Sequence, residues 1–151
     1  MSYKTCLEKA GANVLDYKEF GSYQGDWLAF VEYMGQKGIV TGSYGSCSGC
    51  DAFEAEFRFK NSEPEEYEGR YYKNGYIWDE DNECSVEEFE ISKQEYDNKL
   101  AEFGRRYLES NGSADLYDKS HYEKRLLQLD PEDWFDNEEK EQIEWALNRQ
   151  W

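Results

Sequence analysis

The first part of the chain alternates apolar and polar residues with the period of two that is typical of β-strands. Apolar-rich runs at residues 14–20 and 27–33 precede a shorter run at 39–41, and the glycine-bounded segment 35–38 separates the last two. Glycine readily adopts the positive φ angles that tight hairpin turns require. The pattern therefore predicts antiparallel strands, with a turn at residues 35–38.

The alternation returns between Phe53 and Phe59, where every second residue is apolar and the residues between them are charged. A period of two, sustained over eight residues to Lys60, predicts a half-buried strand. Asp51 and Glu54 also have the spacing of a helix capping box. A helix at this point is therefore the alternative interpretation.

Asn74 and Gly75 lie between two aromatic runs, at residues 70–72 and 76–78. An Asn-Gly pair suits a type I′ turn, because both central residues of that turn need positive φ angles. The sequence predicts a β-hairpin that turns at this pair.

Helical signals follow residue 85. Ser92 and Glu95 form a capping box, and the residues behind them repeat at helical spacing, with Gly112 placed to end the helix. The residues expected on its apolar face are Tyr96, Leu100, Phe103, Tyr107 and Leu108.

A second helical segment is predicted around residues 116–129, and Asp130-Pro131 can begin a third because Asp caps helices and Pro suits their first position. The third is expected to reach Trp151 and to bury one stripe of side chains. These are Trp134, Phe135, Ile143, Ala146 and Leu147.

Strands first and helices afterwards predict an α+β fold. We expect a single domain over residues 1–151, strand-rich at 1–84 and helical at 85–151. The N-terminal antiparallel sheet would have about five or six strands, followed by about three C-terminal helices.

The composition combines a net charge of −17 on 151 residues with thirteen Tyr, eight Phe and five Trp. Such a charge repels nucleic acid and attracts basic proteins. No apolar run approaches the ~18 residues of a membrane span, and the first residues lack a signal-peptide core. We expect a cytoplasmic protein that does not bind membranes or nucleic acid directly.

The charge suggests a function. Duplex DNA carries one charge per about 1.7 Å, so the net charge of −17 corresponds to roughly 30 Å of duplex, comparable with the span of a compact domain. The hypothesis is an acidic interaction protein or inhibitor that occupies a basic, nucleic-acid-binding site on a partner protein. The residues expected at that contact are acidic or aromatic: Glu65, Glu66, Asp79, Glu80, Asp81, Glu138, Glu139, Trp78 and Trp134.

Two further aromatic residues, Trp27 and Tyr44, are candidate contact anchors. Large aromatic side chains are also the main core material of this chain. A place in the core is the favoured interpretation for these residues.

The alternative function centres on the cysteines. Cys47 and Cys50 have the Cys-x-x-Cys spacing of zinc and thiol-redox sites, and Cys6 and Cys84 complete a possible set of four thiolates. A second Cys-x-x-Cys pair is missing, and Asp51 disfavours a reactive thiolate. A structural, glycine-rich turn without a cofactor is the favoured interpretation, and zinc binding or thiol-redox chemistry is the alternative.

The stretch Ser-Tyr-Gly-Ser-Cys-Ser-Gly-Cys-Asp at residues 43–51 resembles one found in uncharacterised small acidic proteins of phage and bacterial genomes. The resemblance covers residues 21–57 and implies no known activity. It implies a mobile-element origin and, with it, an inhibitor or accessory role.

Two weaker chemical patterns remain. Acidic residues from Asp79 to Glu90 follow the ligand spacing of a calcium-binding loop, although Cys84 stands where such a loop needs glycine. His121, the sole histidine, would have to serve any histidine-dependent catalysis.

Overall fold

The computed structural model describes residues 2–45, 51–57, 71–79 and 84–151, and gives the backbone alone for the strands at 71–79 and 84–91. Within these ranges the helices are α1 (Ser2–Lys9), α2 (Ala52–Glu56), α3 (Lys93–Leu108), α4 (Lys119–Gln128) and α5 (Trp134–Leu147). The strands are β1 (Asn13–Gly21), β2 (Gly25–Tyr33), β3 (Gln36–Tyr44), β4 (Tyr71–Asp79), β5 (Cys84–Ile91), β6 (Glu109–Ser110) and β7 (Ser113–Ala114).

The centre of the fold is a three-stranded antiparallel sheet in the order β1-β2-β3. β2 is the middle strand, and residues 27–31 along it are all buried. Successive side chains of a strand point to opposite faces. This uninterrupted buried run shows that both faces of the sheet are covered.

One face of the sheet packs against helices α1, α2 and α3. Trp27, Ala29 and Val31 of β2 lie there with Leu7 of α1 and Phe103 of α3. Aromatic rings fill much of this core, and Tyr3 stacks on Trp27 with ring centroids 5.2 Å apart. Burial of such large rings is the main source of stabilisation on this side.

The opposite face packs against α4 and α5. Leu28 and Phe30 of β2 and Ile39 of β3 lie against Tyr122 of α4 and Ile143 of α5. The backbone of residue 117 bridges to Ile39, so the segment before α4 covers part of the β3 edge. The odd and even residues of β2 thus serve two separate cores.

The first three predicted strands are confirmed, with a small shift of the turn. Tyr33 pairs with Gln36, which leaves Met34 and Gly35 as the turn residues instead of a turn at 35–38. Their φ angles of 52° and 76° are both positive. This is the type I′ signature, which matches the twist of paired strands.

Several predictions for the middle of the chain are wrong. Residues 52–56 form helix α2, so the helix given as the alternative is present there and the predicted strand is not. Residues 58–60 lie outside the described ranges. Asn74 and Gly75 lie inside β4, which continues to Asp79 and pairs with β5. A register shift between Asn74 and Ile77 accommodates the pair without a hairpin turn.

The overall α+β class is confirmed, but not the single large sheet. The described strands form a three-stranded sheet and two separate two-stranded sheets, β4-β5 and β6-β7. Helices α1 and α2 precede residue 84 and strand β5 runs from Cys84 to Ile91, so both parts of the chain contain helices and strands.

The C-terminal helices match the prediction in number but not at every boundary. Ser92 caps α3, with its hydroxyl 3.2 Å from the backbone nitrogen of Glu95, as predicted. Gly112 does not end α3, which stops at Leu108, but lies in the β6-β7 turn. α5 begins after Asp133 instead of Asp130, and ends at Leu147, before Trp151.

None of the helices in the described ranges combines the length and the apolar character that crossing a membrane requires.

Candidate functional site

The start of α5 is held by a network of local hydrogen bonds. The Asp133 carboxylate accepts from the backbone nitrogens of Phe135 and Asp136, at 2.8 and 3.3 Å. Asp136 in turn accepts from the backbone nitrogen of Asp130 at 2.6 Å. These contacts satisfy donors that a helix N-terminus leaves open, and they fix the first turn.

Two aromatic side chains project from this fixed turn into solvent. Trp134 is 65% exposed and Phe135 is 72% exposed, so their predicted place in the buried stripe of α5 is wrong. Their rings meet edge to face, with centroids 5.1 Å apart. Exposed aromatic side chains on a rigid element are typical anchors of interaction surfaces.

A cleft of about 540 Å³ lies between α5, the β1-β2 turn and the end of β3. Trp134 forms part of its wall, and Glu138 and Glu141 follow at helical spacing on the same side of α5. The opposite wall belongs to the sheet. Its lining residues there are Phe20, Gly21, Gln24, Gly25, Asp26, Ser43 and Tyr44.

Asp26 is the acidic residue contributed by the sheet side of this cleft. One carboxylate oxygen accepts from the Ser43 hydroxyl at 3.0 Å, and the other accepts from the Gln142 side-chain amide at 3.1 Å. The Gln142 contact joins β2 to α5 across the cleft. Asp26 is thereby held in one orientation.

Tyr44 closes the sheet side of the cleft. Its hydroxyl donates to the Phe20 carbonyl at 2.9 Å. Burial raises the pKa of Tyr44, and the nearby carboxylates of Glu19 and Asp26 add to the shift. The phenol therefore stays neutral at physiological pH and adds no negative charge to the cleft.

The structure brings together some of the predicted contact residues. Trp134 and Glu138 both line the cleft. Glu139 instead lies toward α4, where it forms a bidentate salt bridge with Arg125 at nitrogen–oxygen distances of 2.6 and 2.7 Å. Trp27 is fully buried in the core, and Tyr44 lines the cleft.

The other predicted contact residues fall in the middle of the chain. Glu65, Glu66, Glu80 and Asp81 lie outside the described ranges. Trp78 and Asp79 belong to β4, for which the backbone alone is described.

The cysteine site is described only at its borders. Cys47 and Cys50 lie outside the described ranges, and Cys84 is the first residue of β5. The backbone nitrogen of Gly45 donates to the buried Asp51 carboxylate at 2.9 Å, which holds these two residues together. Tyr3 donates to the other Asp51 oxygen at 2.8 Å.

Cys6, the fourth cysteine of the predicted zinc set, is buried on α1. Burial raises the pKa of its thiol, and Glu56 adds to the shift. A zinc ligand must be a thiolate, so zinc binding through Cys6 would require the loss of this strongly held proton. In the part of the chain that the structure covers, no three potential ligand side chains cluster as a metal site.

The weaker patterns gain no support as sites. His121 lies at the surface of α4, stacked on Tyr117 with ring centroids 4.3 Å apart. The proposed calcium loop runs into β5, so residues 84–90 are extended and not wound around a cation.

Sequence reasoning missed Asp26 and Gln142 as residues of the cleft. Glu141 shares the acidic side of α5 with Glu138, as helical spacing predicts. Asp26 and Gln142 are 116 positions apart, so their contact could not be read from local pattern.

Comparisons with protein-family models, with curated proteins and with solved structures found no match to this chain. The resemblance to small acidic phage and bacterial proteins therefore stays a prediction.

Proposed function

We propose that this protein is an acidic interaction module, an inhibitor that occupies a basic, nucleic-acid-binding site on a partner protein. It acts by covering that site and performs no catalysis. The observation that carries the proposal is the start of α5, where two exposed aromatic side chains stand on a strongly acidic helix.

The local charge supports a basic partner. Residues 130–144 contain eight acidic residues and one lysine. Arg125 neutralises part of this charge through Glu139 and Asp136, but Glu138 and Glu141 remain exposed beside Trp134. Aromatic anchors supply contact area, and the carboxylates select for positive charge.

The charge density of α5 can be compared with that of duplex DNA. Its fourteen residues span about 21 Å and carry a net charge of −4, or about one charge per 5 Å. Duplex DNA carries one per about 1.7 Å. α5 alone is therefore less charged than DNA, so the rest of the acidic surface must supply long-range attraction while α5 makes the contact.

The test is binding to protamine, an arginine-rich DNA-binding protein, measured by calorimetry over a range of salt concentrations. We expect binding that weakens as salt rises, because screening acts on the attraction between exposed charges. We also expect the protein to release duplex DNA from protamine, as an occluding inhibitor must.

A matched pair of variants separates a defined surface from general attraction. Glu138→Gln, Glu141→Gln and Glu144→Gln neutralise α5, while Glu8→Gln, Glu95→Gln and Glu102→Gln neutralise exposed positions on α1 and α3. Each set removes three charges and one ion pair between residues four apart, Lys140–Glu144 or Lys4–Glu8. We expect the α5 set to weaken binding about tenfold and the control set less than threefold.

Two results would contradict the proposal. The first is no binding to protamine even at low salt. The second is equal weakening by both sets, which would mean that charge acts without a defined surface. Native mass spectrometry of the same sample tests the alternative function, since stoichiometric zinc would redirect attention to Cys47 and Cys50.

A further inference from the structure

The geometry points to a specific occupant: we propose that the cleft beside α5 receives an arginine side chain of the basic partner. This inference rests on the proposed function and specifies the chemistry of its contact. The guanidinium would stack on Trp134 and pair with the carboxylates of Glu138 and Glu141.

The cleft is acidic and open to solvent. Glu138 and Glu141 stand on its α5 side and Asp26 on its sheet side, and none of its described lining residues is basic. The three carboxylates therefore have no basic partner among the described residues that line the cleft. A positively charged side chain is the group that this arrangement favours.

The walls are pre-organised for a contact of defined geometry. Trp134 is the first residue of α5 and follows its cap, Asp133. The Asp26 contacts with Ser43 and Gln142 fix the opposite wall. Less backbone ordering is needed when a ligand enters, and this lowers the entropic cost of binding.

The protein itself shows how an arginine fits this kind of surface. Arg149 lies over the Trp145 ring at 4.4 Å and pairs with the Asp16 carboxylate. Trp145 is on the same helix as Trp134, eleven residues further on. The internal contact combines ring stacking with carboxylate pairing, the same two interactions that the cleft offers to a guanidinium.

Arginine is favoured over lysine, and a basic partner over a second copy of this chain. The planar guanidinium can stack on a ring while its N–H groups pair with carboxylates, whereas an ammonium group is a compact point charge. A second copy would bring another net charge of −17 to an already acidic surface. Like charges therefore oppose self-association through the cleft.

The test uses two fluorescent nonapeptides, one of arginine and one of lysine, and measures binding by anisotropy at low salt. We expect the arginine peptide to bind at least about threefold more tightly than the lysine peptide. Trp134→Ala should weaken arginine binding about threefold to thirtyfold.

Leu127→Ala is the control, because Leu127 is an apolar residue of α4 that is 88% exposed and does not line the cleft. We expect it to change arginine-peptide binding less than twofold. Both side chains are exposed, so both variants should keep the wild-type circular dichroism spectrum.

Equal affinity for the two peptides, or equal losses from Trp134→Ala and Leu127→Ala, would overturn the inference. The proposed function would survive that result if protamine binding still depended on the α5 carboxylates. Absence of protamine binding would instead remove the proposed function. A doubled mass that reverts to monomer with Trp134→Ala would assign the cleft to a second copy and overturn the arginine inference.

Discussion

At the scale of single residues, close backbone approach decides how the helices pack. Gly104 lies in the middle of α3, where a Cβ atom would come within 2.0 Å of the Cys6 carbonyl oxygen on α1. Cys6 is itself buried and cannot move without displacing α1. The absence of a side chain at Gly104 is what allows the two helices to meet.

Gly104→Ala is therefore expected to destabilise the protein by about 1–3 kcal/mol, because its added methyl group meets backbone atoms. Helix propensity alone would give the opposite sign, since Ala is favoured over Gly in helix interiors. Urea unfolding of wild type and variant measures the difference. Asn98→Ala, at an exposed position of α3, is the control, and we expect it to leave stability within about 0.5 kcal/mol of wild type. A more stable Gly104→Ala protein would refute the packing argument.

At the scale of secondary-structure elements, the same dipeptide has two outcomes. Asn111 and Gly112 form the β6-β7 turn with positive φ angles of 53° and 78°. Asn74 and Gly75 instead lie within β4. Both sites have the same Asn-Gly pair, so the difference comes from the pairing of β4 with β5. A continuous β4 gains a long ladder of backbone hydrogen bonds with β5, and a turn at Asn74 would lose it.

The contribution of the α5 N-cap to stability can be tested by mutation. Asp133→Ala removes the side chain that accepts from two backbone nitrogens of the first turn. We expect a loss of about 1 kcal/mol in the free energy of unfolding. Chemical denaturation measures it, with the exposed neighbouring variant Glu132→Ala as control. Equal stability of the two variants would show that the cap contributes nothing.

At the scale of the whole molecule, an aromatic core lies inside an acidic surface. Burial raises the pKa of Tyr3, Tyr17 and Tyr122, and raises that of Tyr107 to about 12. An unfolded tyrosine ionises near pH 10. The folded protein therefore holds tyrosine protons that the unfolded chain releases.

The sign of the pH dependence follows from these shifts. Because the folded pKa values are raised, their stabilising effect is complete below about pH 10 and is lost as the pH rises further. We expect the urea midpoint to fall steeply between about pH 10 and about pH 12. Circular dichroism and tyrosinate absorbance should change together. Tyrosine ionisation near pH 10 with the fold intact would contradict this prediction.

Local sequence pattern predicts the strands and helices whose apolar repeats are long and consistent. β1, β2 and β3 follow from their apolar runs, and α3 follows from the Ser92 cap and its apolar face. The charge and the expectation of a basic partner also come from composition alone. These features depend on neighbours in the chain, and local pattern records them.

Packing between elements sets the features that local pattern leaves open. It leaves Trp134 and Phe135 exposed to solvent, although they were expected in the core. The buried face of α5 is occupied by Ile143 and Ala146 instead. It also brought Asp26 to Gln142 to form the cleft. Contacts between residues distant in the chain depend on how whole elements pack, and packing is a property of the complete fold.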